Sequence, residues 1–496
     1  IEMIHTYHHA AGDAATAATM ALRAGIDVEL PASNYYDAPL RAALGAGDIS
    51  LEMVDLAVRR HLEQKVALGL FENPYVDEDS APAVFESSEN RSLARRIADQ
   101  SMVLLKNDGL LPLPTDIATL AVIGPNADSE RNLLGDYSYP AMIEHYHDTA
   151  GSDSPWRDKN LGADALQRMK VISVLTGIRK VVSPNTKVAF SRGCEILAND
   201  TSGFAEAREA AEEADAVVLV LGDKAGLTPE CTCGESRDSS DLRLPGVQEQ
   251  LAEMILALGK PVAVVLVNGR PLAIPSLAEK ANAILEAWLP GEEGGTAVAN
   301  TLFGLHNPGG KLPMTFPRSG GQAPIFYSVK PSGMRSNWHV DYTDGSVAPL
   351  YPFGHGLSYT TFAYSSFALD QKQFGPGDTI AVRCLVTNSG SLAGEEVVQL
   401  YVRDEYASLP RPIKELRGYA RVALEPGQTK SITFRLPVDT LAFYDDGGNL
   451  TLEPGSFHVM VGSSSEDIRL EGDFEIRSVG RMPVQRRIFN CPVEIS

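Results

Sequence analysis

The chain has 496 residues, 44% hydrophobic and 22% charged, enough for two to four globular domains with sizeable cores. Its 43 basic and 64 acidic residues leave a net charge of −21, which argues against nucleic acid or an anionic membrane as a partner. The longest apolar runs, such as Ala216–Leu221 and Val262–Val267, are far too short to cross a bilayer.

Residues 1–75 read as helices. Ala14–Arg23 is one. Ser50 is placed to cap another, in which Leu51, Val54, Val58 and Leu62 recur at helical spacing before Gly69 ends it. Between them, Gly25–Leu30 reads as a short strand. Two or three elements cannot bury a core alone, so this stretch is expected to be the tail of a domain whose body lies upstream. Residues 76–102 read as a linker and a helix.

From 103 to 320 the pattern alternates. Short β-branched runs at Leu120–Ile123, Lys187–Phe190, Ala216–Leu221, Val262–Val267 and Ala283–Trp288 are interleaved with helical segments. The plainest helices are Phe204–Ala214 and Val247–Leu258, the second placing Val247, Leu251, Met254, Ile255 and Leu258 on one face. Unbroken apolar strands alternating with helices predict an α/β fold with a mostly parallel sheet covered on both faces. A polar connector spans 321–361. From 362 to 485 the period changes to two, with strands at Ala381–Val386, Val397–Val402, Ser431–Phe434 and Phe457–Val461 separated by turns. This predicts a β-sandwich which, lacking the Cys…Trp…Cys spacing of antibody domains, is of fibronectin III-like type. Residues 486–496 form a tail.

The five cysteines are scattered and odd in number, so no disulfide framework is implied. Cys231-Thr-Cys233 has no second pair at zinc-site spacing, and His5 and His9, four apart, have no third ligand, so no metal site is expected. Val122-Ile-Gly124-Pro-Asn126 lacks the glycine spacing of a dinucleotide site, and Gly309-Gly-Lys311-Leu312 lacks both the first glycine and the hydroxyl residue of a phosphate loop.

In an open parallel sheet ligands bind beyond the carboxyl ends of the strands. The run Ala216–Leu221 is succeeded by an unusually long loop, Gly222 to Asp238, that leads to Leu244-Pro245-Gly246. It is rich in carboxylates, which suits acid–base work. Spacing does not choose among Asp223, Glu230, Glu235, Asp238 and Asp241.

In that loop Glu235-Ser-Arg-Asp238, continuing to Leu242-Arg-Leu244-Pro245, resembles the E-G-x-D-R-x-x-L-x-L-P segment of family 3 glycoside hydrolases. Three further stretches match in order: Val103–Leu113, Pro290–Gly295 through Asn307–Pro313, and Tyr351–Tyr359. The resemblance implies three domains: a (β/α)8 barrel, an α/β sandwich and a fibronectin III-like domain. Residues 1–75 then correspond to the C-terminal remnant of the barrel. The segment Ile1–His9 and the run Ala21–Pro31 look like the stretch immediately after the family's nucleophile motif, Ser-Asp-aromatic, so the nucleophile is expected to lie upstream of this chain.

By the same resemblance Glu235 is the general acid/base, with Glu230 the runner-up. Ser236 stands in place of the usual Gly, Arg237 in place of an aromatic and Ser239 in place of the common Arg. In retaining glycoside hydrolysis one carboxylate attacks the anomeric carbon while the other protonates the leaving oxygen and then activates water, a cycle that calls for a suitably tuned Glu235. Tyr137, in Leu133–Ser138, resembles the position of a leaving-group-side aromatic able to stack on a sugar face. The expected partner is a β-linked oligosaccharide or an aryl or alkyl glycoside. No cofactor is implied, because two carboxylates need only water. The leading expectation is an exo-acting β-glucosidase. The alternatives are a β-xylosidase of the same family and a non-catalytic carbohydrate-binding accessory fragment.

Overall fold

The computed structural model of the protein describes residues 1–85, 87–149, 169–331 and 344–496. Parts of the predicted α/β segment (150–168) and of the predicted connector (332–343) lie outside the described residues. The chain forms two compact units, Ile1–Ser87 and Ser88–Ser496.

The first unit is helical, with helices at Glu2–Thr6, Ala14–Arg23, Ala38–Ala46 and Leu51–Ala67. Asp13 precedes the second helix and caps it, accepting from the Thr16 amide at 2.8 Å. Ser50 occupies the N-cap position of the last helix without making a capping bond; its hydroxyl serves the Glu52 carboxylate instead. The strand predicted over Gly25–Leu30 does not form. Side chains hold this stretch in place of a ladder: the Glu29 carboxylate accepts from the Tyr35 and Tyr36 amides at 2.9 and 2.7 Å, and the Tyr36 hydroxyl donates to the Ile26 carbonyl at 2.5 Å. The periodic face of Leu51–Ala67 also departs from expectation. Leu51, Val58 and Leu62 are exposed and Ala57 is the one buried residue of the helix, because so small a helical unit offers too little surface to cover that row.

The second unit opens with the helix Ser88–Ser101 and a six-stranded sheet. Its strands are β1 (Val103–Asn107), β2 (Thr119–Ile123), β3 (Lys187–Ser191), β4 (Ala216–Gly222), β5 (Val262–Val267) and β6 (Ala283–Glu286), in the order β1-β6-β5-β4-β2-β3. The five predicted strands are present and parallel to one another. An additional strand, β1, closes one edge antiparallel to β6, with Leu104 opposite Leu285. The central strands read as unbroken apolar runs because alternate residues enter different cores. Val218 and Val220 of β4 pack in the layer that holds the helices Val174–Val181 and Gly294–Leu302. Val217, Leu219 and Leu221 pack in the layer that holds Phe204–Glu213 and Gln248–Leu256. Each fully buried Val or Leu contributes about 1.5–3 kcal/mol, so these strands form a rigid base for the loops at their carboxyl ends.

The β-sandwich comes next. Its larger sheets are Glu415–Leu424, Gly394–Asp404, Gly455–Gly462, Ile468–Ile476 and Gln373–Phe374 in that order, and Val493–Ile495, Thr429–Pro437, Thr379–Asn388 and Phe362–Leu369. Val382, Cys384 and Val386 alternate into the core between them, as the period of two predicted. Gly394–Asp404 is buried on its second face too. There Gln399 donates to the Gly354 and Ser463 carbonyls at 3.1 and 2.6 Å, and Tyr327 lies between Phe353 and Tyr401. The Lys311 ammonium, 3.2 Å from Glu396 at the start of that strand, ties it to the segment leaving the α/β sheet.

Candidate active site

The loop predicted to carry the chemistry leaves β4 at Gly222, whose φ of +137° and close approach to the Val267 carbonyl leave no room for a side chain. The next residue, Asp223, is buried. It accepts from the Thr232 hydroxyl at 2.7 Å and lies 3.6 Å from Arg270 Nε. Burial pushes its carboxyl above the usual carboxylate range, against the pull of Thr232 and Arg270. The loop then doubles back on itself. The Lys224 amide donates to the Thr232 hydroxyl (3.1 Å), the Thr232 amide to the Lys224 carbonyl (2.9 Å) and the Gly226 amide to the Cys233 carbonyl (2.9 Å).

A tight turn comes after these bonds, closed by the Arg237 amide on the Gly234 carbonyl at 3.1 Å, with Ser236 at φ +59°. Glu235 stands at the exposed corner of that turn. Its amide donates to Asp136 Oδ2 at 2.8 Å, and its Oε2 accepts from the Tyr137 hydroxyl. Asp136 and Tyr137 belong to the loop after β2, which is itself bonded to the β4 loop. Arg131 donates to the Ala225 carbonyl at 2.8 Å and to Glu144 at 2.9 Å. Asn132 donates to Asn126 Oδ1 at 2.7 Å, and Asn126 reaches the Asp223 and Val267 carbonyls, each at 3.3 Å. The Tyr137 ring is 65% exposed, and its hydroxyl pKa is raised chiefly because the proton is engaged by the Glu235 carboxylate.

The five carboxylates that the sequence left open now differ. Asp223 is buried. Asp238 is paired with Arg270 at 2.8 Å and Asp241 with Arg243 at 2.6 Å. Glu230 is held below the usual carboxylate range by its hydrogen bond with Thr228, an environment that favours the ionised form. Glu235 has a neutral phenol as its side-chain partner and no ion pair among the described residues. An exposed carboxylate held at a fixed corner beyond the carboxyl end of a parallel sheet can give or take a proton from a bound molecule.

Other sequence candidates lie elsewhere or do other work. His5 Nδ1 is 3.4 Å from the Tyr35 hydroxyl in the first unit. Cys231 and Cys233 are buried at the root of the loop, where burial pushes the Cys233 thiol up to about 11. Two residues missed in the sequence stand out. Glu286, at the end of β6, is fully buried and pushed well above the carboxylate range by desolvation; it accepts from the Trp288 amide at 2.8 Å and from Asn268 at 3.3 Å. Arg270, in the turn after β5, contacts the loop at three points. A lone carboxylate in the apolar run Ala283–Trp288, and an arginine directly after a parallel strand, were the signals available.

The glycosyl hydrolase family 3 C-terminal domain model matches residues 102–359, which contain both loops, and the fibronectin type III-like domain model matches residues 396–465. The chain belongs to glycosyl hydrolase family 3. A β-xylosidase of Formosa agariphila is 40% identical over 93% of this chain and 61% of its own length. A periplasmic β-glucosidase of Salmonella typhimurium is 34% identical over 95% of the chain and 61% of its own length. The family 3 chain thus spans about three-fifths of the curated relatives it matches. A crystal structure of the β-glucosidase from Listeria innocua in complex with glucose superposes with a TM-score of 0.80 at 34% identity, covering 96% of this chain and 61% of that one.

Proposed function

We propose that this family 3 chain carries the general acid/base of a retaining, exo-acting β-glycoside hydrolase, with Glu235 in that role and terminal β-glucose as the sugar released. The observation that carries the reading is the seating of Glu235: backbone held by Asp136, carboxylate held by Tyr137, side chain open to solvent. In the first half of the reaction Glu235 gives its proton to the glycosidic oxygen as the bond to the anomeric carbon breaks. In the second it takes a proton from the water that releases the sugar. In this reading the Tyr137 ring, exposed beside it, stacks on the leaving-group sugar. The nucleophile is proposed to come from sequence outside these 496 residues. No Ser-Asp-aromatic triplet occurs within them, and the matched relatives are longer.

Support for a glucoside comes from the Listeria innocua enzyme, whose structures are complexes with glucose, isofagomine and laminaribiose. A β-xyloside is the second reading, favoured by the 40% identical Formosa agariphila β-xylosidase. The test is hydrolysis of nitrophenyl β-glucoside and β-xyloside by the full-length protein that contains this chain, with the anomer of the first-formed sugar followed by NMR. Higher kcat/KM on the glucoside with β-sugar formed first is expected. An α-anomeric first product would overturn the retaining mechanism, and a preference for xyloside would replace glucose by xylose.

A further inference from the structure

The Arg270 side chain is 11% exposed and reaches three separate points of the loop that carries Glu235. Its Nη1 donates to Asp238 Oδ1 at 2.8 Å, its Nη2 donates to the Thr232 carbonyl, and its Nε lies 3.6 Å from Asp223 Oδ2. Thr232 precedes Glu235 by three positions and Asp238 succeeds it by three, so one guanidinium grips both shoulders of the turn that presents Glu235. Asp223 anchors the same group to the end of β4.

The back of the grip is fixed as well. The Arg270 carbonyl accepts from Asn268 Nδ2 at 2.6 Å, and that amide also donates to Glu286 Oε2 at 3.3 Å. The Ala273 amide donates to the Leu242 carbonyl at 2.7 Å, pinning the far limb of the loop to the same β5 turn. We propose that Arg270 is a positioning residue for Glu235, holding the acid/base turn in register with the sheet by bridging Asp223, Thr232 and Asp238. The inference rests on the reading of Glu235 as acid/base.

The residue type suits the role. Two acceptors and a buried carboxylate lying in different directions around one point call for a planar, charged fork with five donors, which a lysine ammonium lacks. A proton donor must come within hydrogen-bond reach of the glycosidic oxygen, and displacement by about 1 Å can cost about 100-fold in rate. A positioning role therefore shows itself in reactions that need the proton and is silent where the leaving group departs without one.

The experiment compares Arg270→Ala, Arg270→Lys, Asp238→Asn and Glu235→Gln in the full-length protein, each on an alkyl β-glycoside and on the dinitrophenyl β-glycoside of the same sugar. For Arg270→Ala, kcat/KM on the alkyl glycoside is expected to fall about 100-fold and on the dinitrophenyl glycoside by less than about threefold. Arg270→Lys should recover part of the loss. Asp238→Asn, a change at a side chain 91% exposed that leaves folding intact, should lose about three- to tenfold on the alkyl glycoside alone. Equal losses on both substrates, or none, would overturn the proposal. If Arg270→Ala does not fold, Asp238→Asn decides by the same criterion. Should Glu235→Gln discriminate between the substrates while the Arg270 and Asp238 variants do not, the positioning role alone falls. Should Glu235→Gln not discriminate either, the acid/base reading falls and takes this one with it.

Discussion

The Tyr137 hydroxyl donates to Glu235 Oε2 while the Glu235 amide donates to Asp136 Oδ2 at 2.8 Å, so two consecutive residues of the β2 loop hold the side chain and the backbone of one residue of the β4 loop. The partners are 98 positions apart in sequence. The bond links the proposed acid/base to the proposed sugar platform, and changes at either are expected to be felt at the other.

Replacing Glu235 by Gln keeps its shape and removes the proton. On alkyl or disaccharide β-glycosides the full-length protein should lose about 100- to 10,000-fold in kcat/KM, with much less lost on a dinitrophenyl glycoside. Added azide, which attacks without a general base, should raise kcat of the variant on the activated substrate. Near wild-type turnover of the alkyl glycoside would sink the assignment.

Tyr137 can be divided by two substitutions. Tyr137→Phe keeps the ring and removes the donor to Glu235, whereas Tyr137→Ala removes both. If the ring stacks on the leaving sugar, Tyr137→Ala should raise KM for a disaccharide about tenfold and Tyr137→Phe by much less. An unchanged KM in Tyr137→Ala would count against stacking.

Asp404, in the strand Gly394–Asp404, provides a pH signature remote from the site. Its carboxyl is buried, one oxygen has no partner and Arg411 lies 4.0 Å away, so desolvation prevails and its pKa is pushed up from 3.8 to about 6. A raised carboxylate binds its proton more tightly in the folded state, so its ionisation costs stability as pH rises from about 4 to about 6, after which the loss is constant. The shift corresponds to about 2–3 kcal/mol. Asp404→Asn should therefore gain in thermal midpoint relative to wild type between pH 4 and pH 6. A difference that does not change with pH would contradict the assignment.

The Lys311–Glu396 pair is buried, and Glu396 is pushed up by desolvation and pulled down by Lys311. Lys311→Ala leaves a buried carboxylate without its cation and should destabilise the chain by about 3–5 kcal/mol. Lys311→Met combined with Glu396→Leu should restore much of that. Thermal unfolding of the single and double variants reads the comparison directly.

At Gly222 an alanine Cβ would lie 2.0 Å from the Val267 carbonyl oxygen, on a backbone with φ of +137°. Gly222→Ala should cost about 3 kcal/mol or more, because the β4–β5 spacing has no slack. A thermal midpoint unchanged from wild type would mean that this end of β4 can shift.

Elements set by local pattern are legible in the sequence. The runs Leu120–Ile123 and Val262–Val267 carry enough β-branched residues to specify strands before any partner is known, and Leu251 and Ile255 mark the buried face of their helix wherever it docks. β1 does not read as a strand, because Val103-Leu104-Leu105 is too short to declare itself until β6 lies beside it. Gly25–Leu30 fails in the opposite sense. Its pattern suits a strand, but no strand among the described residues pairs with it, and Glu29 turns back to cap Tyr35 and Tyr36.

The α/β and β-sandwich order and, through its motifs, the family are legible in the residues alone, and the same pattern singles out the loop after β4 as the candidate place for chemistry. Hydrophobic period and short motifs are local, and a local signal survives without neighbours. Only the tertiary structure distinguished the loop's carboxylates from one another. It buried Asp223, paired Asp238 and Asp241 with arginines, turned Glu230 to Thr228, and left Glu235 exposed under Tyr137. It alone brought Arg270 to the loop. Asp241 and Glu230 meet partners two positions away, but those of Asp238 and Glu235 lie 32 and 98 positions away, and their effect on a carboxylate is set by which groups arrive beside it when the sheet closes.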